Sequence, residues 1–198
     1  EQELISTYID PIVSPIFHDP TNHKIFRWLN RTTVDIKKLR PDGSIILASQ
    51  RHTSYALGYC EVKPFETEAN TALTHEDLLR LSLFCKNSLD IGEIQAMICF
   101  QVVGYNICFY LLTLEHEAIY VMMEICNIKV PKVFQELPRF VMELDKIKKV
   151  IHCYNHYCIK ISSRKKFSIM KRPSLSHQDL VEIINGKTNK RKRHLAFD

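Results

Sequence analysis

Three features of this 198-residue chain predict an α/β domain in which a central sheet is flanked by helices. Apolar residues recur at helical spacing near the N-terminus, again over 75–89 and again over 133–151. Between the last two stretches lie short runs of Ile, Val, Phe, Tyr, Cys and Met, the composition of strands. Turn-forming groups punctuate the chain at Asp42-Gly43, Gly104-Tyr105-Asn106 and Glu115-His116-Glu117.

Each element follows in order. Leu4, Ile5, Tyr8, Ile9, Ile12 and Val13 predict a helix within residues 1–17, interrupted at Pro11 and Pro15 because proline lacks the amide hydrogen that an interior turn needs. Residues 18–24 are polar and turn-like, followed by a short apolar run at 25–29 and a polar stretch ending at Arg40. Residues 45–48 and 54–63 predict two strands joined by a polar turn near 50–53, a β-hairpin that Pro64 ends. Thr74 with Asp77 three positions on resembles a capping box and predicts a helix over 75–89. Three strands are expected near 95–103, 107–114 and 118–128. The first could equally be a helix over 93–103, since an unbroken apolar run has no period to read. Val133, Leu137, Phe140, Leu144, Ile147 and Ile151 predict a helix over 133–151. A last strand is expected at 157–162, and a short helix from Ser176 to Asn185 closed by Gly186. Residues 187–198 are expected to be disordered, and no internal repeat is present.

Composition bounds the function. Hydrophobic residues make up 45% and charged residues 25%, a globular balance that excludes a wholly disordered chain. The length suits one domain with a real core, and we assign residues 1–160 to it. Residues 161–198 form a basic C-terminal extension. Residues 160–198 carry 11 Lys and Arg against 3 Asp and Glu, leaving 16 basic and 19 acidic groups on the rest. A mildly acidic body with a basic tail suits nucleic acid or a nuclear import receptor as partner, and Lys190-Arg191-Lys192-Arg193 reads as a short nuclear localisation signal. A solvated tail that aids solubility is the alternative. No apolar run is long enough to span a membrane, and no basic segment precedes an apolar run as in a signal peptide. The first residue is Glu1, as expected of a piece of a longer chain. Seven cysteines, six of them among apolar neighbours, imply no disulfide framework and point to a reducing, intracellular compartment.

The hairpin carries the chemistry. Folding it at its polar turn sets Asp42 beside Glu61, and alternation puts Glu61 and Lys63 on one face. Two adjacent carboxylates repel unless a proton or cation intervenes. Oxygen ligands without His or Cys select a hard ion, Mg²⁺ or Mn²⁺, and a nearby ammonium can polarise a water beside it. That is equipment for metal-assisted phosphodiester hydrolysis. The same residues also suit an exposed hairpin in which Asp42-Gly43 is a turn and Glu61 and Lys63 are solvated.

Pro41-Asp42, followed after eighteen residues by Glu61-Val62-Lys63, resembles the signature of the PD-(D/E)xK nuclease superfamily. The wider pattern over roughly residues 1–151 is similar to a group of proteins from early-diverging fungi. It includes a Glu in the first helix, RPDG, GYCEVKP, HEDLLRL and FQVVGYNICFYLLTL. The resemblance implies a restriction-endonuclease-like core, with elements in the order α-β-β-β-α-β around a mixed sheet. It implies a metal-dependent nuclease acting on DNA or RNA with Mg²⁺ or Mn²⁺. Asp42 would bridge the metal, Glu61 and the Val62 carbonyl would be further ligands, and Lys63 would orient the attacking water. Glu3, with Glu1 behind it, is the candidate for the first-helix Glu that many members add. Arg80, Lys86 and Gln95 lie where members often contact substrate, but the signal is weak and surface solvation is the preferred reading of each. The alternative is a catalytically silent nucleic-acid-binding or protein-interaction domain on the same fold.

Other chemistries find little support. His152-Cys153 with His156 and Cys158 supplies zinc-type ligands at a spacing that matches no common zinc module. The chain has no G-x-S-x-G nucleophile motif and no phosphate-cradling glycine loop.

Overall fold

The N-terminal apolar residues form an almost continuous helix: α1 (Gln2–Leu4), one wide turn (Ile5–Ile9) and α2 (Asp10–Phe17). In the wide turn the Asp10 amide donates five residues back, to the Ile5 carbonyl. Pro11 follows at once. Its ring crowds the carbonyl four residues earlier, and widening the preceding turn relieves that contact without ending the helix. The predicted interruption is thus one loosened turn. Ile5, Ile9, Val13 and Phe17 still align and are buried. These features come from a computed structural model that describes residues 1–29, 40–48, 55–65, 71–161 and 171–174. The hairpin tip, the helix expected from Ser176 and the tail after Lys187 lie outside the described residues.

The protein is mixed α/β. Six strands, β1 (Lys24–Trp28), β2 (Gly43–Leu47), β3 (Tyr55–Lys63), β4 (Ala96–Val103), β5 (Asn106–His116) and β6 (Ile119–Lys129), form one sheet whose spatial order is the order of the sequence. All neighbours are antiparallel except β3 and β4, which run parallel. Parallel neighbours need a crossover, and helix α3 (Thr71–Gly92) supplies it. The apolar run that could have been a helix over 93–103 is therefore β4, and seven of its eight residues are buried because helices cover both faces.

One face carries α2 and α5 (Leu144–Tyr157). Phe17 stacks on Phe100 at 5.6 Å and meets Tyr154 edge-on at 5.2 Å, with Phe26 and Phe109 completing the cluster. The other face carries α3, where the Tyr59 and Ser88 hydroxyls lie 2.6 Å apart and the Gln101 amide donates to the Thr74 carbonyl at 2.7 Å. All seven cysteines are free thiols, and five of them are buried. Among the described residues no helix is long and apolar enough to cross a membrane.

Two predicted elements are corrected. The helix expected over 133–151 is a short turn (Phe134–Glu136), then α4 (Leu137–Val141), then α5 after a break at Met142 and Glu143. The expected stripe is largely exposed: Val133, Leu137, Leu144 and Ile151 all face outward. The face that packs is Ile147, Val150, Tyr154 and Tyr157, which carries the helix to Tyr157, where the strand expected at 157–162 was to begin. Among the described residues of that expected strand, Lys160 makes an isolated bridge to Ile94. Within the C-terminal extension, residues 171–174 lie against α3 and β6. The Lys86 ammonium donates to the Arg172 carbonyl at 2.6 Å and to the Ser174 hydroxyl at 3.0 Å, and the Arg172 amide donates to the Tyr120 hydroxyl at 3.3 Å.

Candidate active site

The register of the hairpin decides which carboxylates meet. Gly43 pairs with Cys60 and Ser44 with Tyr59, so Asp42 stands opposite Glu61. Asp42 precedes β2 but is tied on both sides: its carbonyl accepts from the Leu29 amide at 2.8 Å and its amide donates to the Cys60 carbonyl at 3.0 Å. Its side chain accepts from the Val62 amide at 2.8 Å. Both carboxylates are almost fully buried, Asp42 5% and Glu61 1% exposed. Gly43 makes this approach possible, since a Cβ there would meet the Cys60 sulfur at 2.6 Å.

Alternation places Glu61 and Lys63 on the α3 face, and the Lys63 ammonium lies 3.5 Å from Glu61 Oε1. The parallel pairing sets Gln101 of β4 beside Glu61. Helix α3 then adds two residues. Asp77, 4% exposed, lies 3.3 Å from the Lys63 ammonium and 2.9 Å from the Arg80 guanidinium. Arg80 also reaches Glu61 Oε1 at 3.7 Å. Glu61, Lys63, Asp77 and Arg80 form a cross-braced square of alternating charge, with Asp42 against its Glu61 corner.

Counted as ions, Asp42, Glu61 and Asp77 against Lys63 and Arg80 leave one negative charge in excess. The excess shows at Glu61. Burial and the Asp42 carboxylate raise its pKa to about 7, while Arg80 and Lys63 only partly oppose them. Glu61 Oε1 and Asp77 Oδ2 are buried without a hydrogen-bond partner, although each lies within ion-pair distance of Lys63. A hard divalent ion fits this donor set: it would neutralise the excess charge and engage the carboxylate oxygens. Among the described residues no three His, Cys, Asp or Glu side chains form a ready-made metal cluster, so a backbone carbonyl or waters would have to complete the shell.

The other candidates fall elsewhere. Glu3 is exposed on α1 and lines a cleft with Glu1, Tyr8, Pro64, Phe65 and Tyr105, a lining that includes none of Asp42, Glu61 and Lys63. The Val62 side chain is buried on the opposite face from Glu61. Gln95 is exposed before β4, and Lys86 pairs with Asp90 at 3.0 Å toward the far end of α3. Of the proposed substrate contacts only Arg80 joins the group.

Sequence reasoning missed Asp77 and Gln101. Asp77 reads as a cap because Thr74 precedes it by three, but the helix starts at Thr71, and the Thr74 hydroxyl donates back to the Thr71 carbonyl at 2.9 Å. An acid and an Arg three residues apart on an otherwise apolar helix face was the available signal. No family model, curated protein or solved structure matches the chain.

Proposed function

We propose that this protein is a metal-dependent phosphodiester hydrolase of the PD-(D/E)xK type, acting on DNA or RNA. The observation that carries the reading is the opposition of Asp42 and Glu61 across β2 and β3, with Lys63 on the Glu61 face. The element order around them supports it: helix, three antiparallel strands, helix, then a strand parallel to the third. That is the α-β-β-β-α-β order of a restriction-endonuclease-like core.

Asp42 and Glu61, with the Val62 carbonyl, would hold Mg²⁺ or Mn²⁺, which when bound supplies Lewis acidity at the scissile phosphate. Burial and Asp42 raise the Glu61 pKa to about 7 in the metal-free protein, and a bound dication would offset both and hold the carboxylate ionised as a ligand. Lys63 orients the attacking water and offsets the negative charge gathering on the phosphorus oxygens. Asp77 holds the ammonium in place, and Arg80 restrains Glu61 from the other side. The basic tail supplies phosphate affinity and an import signal, so the reading includes a nuclear location.

A second reading is a silent nucleic-acid-binding or protein-interaction domain on this fold. The near-complete burial of both carboxylates favours it, because a phosphate must reach them. Incubation with single- and double-stranded DNA and RNA, with Mg²⁺, Mn²⁺ or EDTA, separates the two. The hydrolase gives metal-dependent cleavage that Asp42→Asn abolishes. Intact substrate across the panel decides for the silent domain.

A further inference from the structure

The cleft that receives Glu3 has a chemistry of its own. It measures about 240 Å³ and lies where the N-terminal helix meets the end of β3 and the β4–β5 turn. Its walls are aromatic: Tyr8 and Tyr105 meet edge-on at 5.1 Å, and Phe65 stands beside them. Among the described residues its charged lining is Glu1 and Glu3.

The walls are set in place by the backbone. Gly104 has φ +57°, and a Cβ there would meet the Phe65 ring at 3.1 Å, so the ring rests on bare backbone. The Gly104 amide donates to the Lys63 carbonyl at 2.9 Å, and the Val130 amide to the Tyr105 carbonyl at 2.8 Å. Phe65 is nonetheless 55% exposed, an aromatic face fixed and open. These rings already meet a cation. The Lys132 ammonium lies 4.3 Å from the Tyr105 ring centre and 5.2 Å from that of Phe65. Rings at this distance attract a cation through the negative charge on their faces, and a carboxylate nearby adds to the attraction.

We propose that this cleft binds an alkylammonium group, at the end of a lysine side chain in a basic peptide or on a free quaternary amine, and that Lys132 is its internal competitor. Lys132 is exposed and belongs to the segment leading to α4, so its side chain can leave the rings without disturbing the sheet. The acidic rim sets the sign of the ligand. The cleft lining is separate from the carboxylates that would hold the metal, so the inference stands or falls apart from the hydrolase reading.

The test uses the full chain and four probes: a short lysine peptide, its trimethyllysine counterpart, choline chloride, and 3,3-dimethylbutan-1-ol as the neutral isostere of choline. Binding is followed through the Tyr8 and Tyr105 ring resonances and by calorimetry. An ammonium probe is expected to bind and the neutral alcohol to bind at least about fivefold more weakly. Glu3→Gln, at an exposed position, should weaken binding, and Lys132→Met should strengthen it by a similar factor. Peptide binding without choline binding identifies a protein side chain as the source, and the reverse identifies a free amine. Equal affinity for choline and the alcohol would overturn the proposal by making the cleft merely apolar. So would the failure of every ammonium probe to bind Lys132→Met. Asp42→Asn should leave all these affinities unchanged.

Discussion

Glu61 holds its proton to about pH 7 in the folded protein, against about 4.5 in the unfolded chain. Between those values the native state binds a proton that the unfolded state has released. Stability of the metal-free protein therefore falls as pH rises through this window and is level above it. The full loss is of order 3 kcal/mol, since one pKa unit corresponds to about 1.4 kcal/mol. Glu61→Gln should flatten the window, and denaturant unfolding in EDTA at pH 5 and pH 8 measures it. Equal slopes in the two proteins would show that Glu61 titrates normally. Lys63 lies in the same square but acts differently. Substrate affinity comes from many phosphate contacts, whereas the ammonium matters most when negative charge builds on phosphorus. Lys63→Ala should lower turnover by about 10²–10³ while nucleic-acid binding stays near wild type, read from single-turnover cleavage beside a binding titration. A wild-type rate would remove Lys63 from the mechanism.

Among the elements, the parallel β3–β4 pair leaves no room for a side chain at Gly58. A Cβ on Gly58 would lie 2.3 Å from the Ile98 carbonyl oxygen. That oxygen belongs to the backbone, so the strands themselves must part. Gly58→Ala should cost about 2–3 kcal/mol in denaturant unfolding, at the upper end of core overpacking, and an unchanged midpoint would mean that the strands separate easily. The hairpin was legible in the sequence because its pairing is symmetric about the polar turn. Asp42 and Glu61 are opposed by the same register that pairs Gly43 with Cys60, and the irregularity after Ile45 lies beyond the site. Asp77 was not legible, because an acid early in a helix reads as a cap whether it faces water or the core. Nor was the break at Met142 and Glu143, since Leu137 and Leu144 keep helical spacing across it. Tyr157 and Cys158 have strand-like composition, but the Val150 and Tyr154 face carries the helix to Tyr157. Local pattern records spacing; which side is covered depends on elements far away in the chain.

For the whole molecule, charge is divided between a mildly acidic body and a basic end. If the end carries affinity for nucleic acid, its five cations Lys187, Lys190, Arg191, Lys192 and Arg193 displace counterions on binding. Removing residues 187–198 should reduce the slope of log affinity against log salt by up to about four. Filter binding between low and physiological salt measures this, and an unchanged slope would move the interface onto the body. The same truncation should clear a tagged protein from the nucleus, and an unchanged nuclear signal would assign import to another segment.

The agreement between strand order and sequence order has a kinetic consequence. The antiparallel pairs β4–β5 and β5–β6 are each joined by a short turn, whereas the crossover through α3 must close the longest connection in the sheet before its contacts form. That closure brings Glu61 beside Gln101 and lays Asp77 and Arg80 over them. The charged square has no separate assembly step and exists only once the slowest pairing is made. Destabilising changes in the β3–α3–β4 unit should slow refolding in stopped-flow experiments. Changes of equal cost in β5 or β6 should act mainly by speeding unfolding. A chain caught before the crossover closes would already hold Asp42 against Glu61 with Lys63 beside them, yet lack the Arg80 and Asp77 that complete the balance of charge.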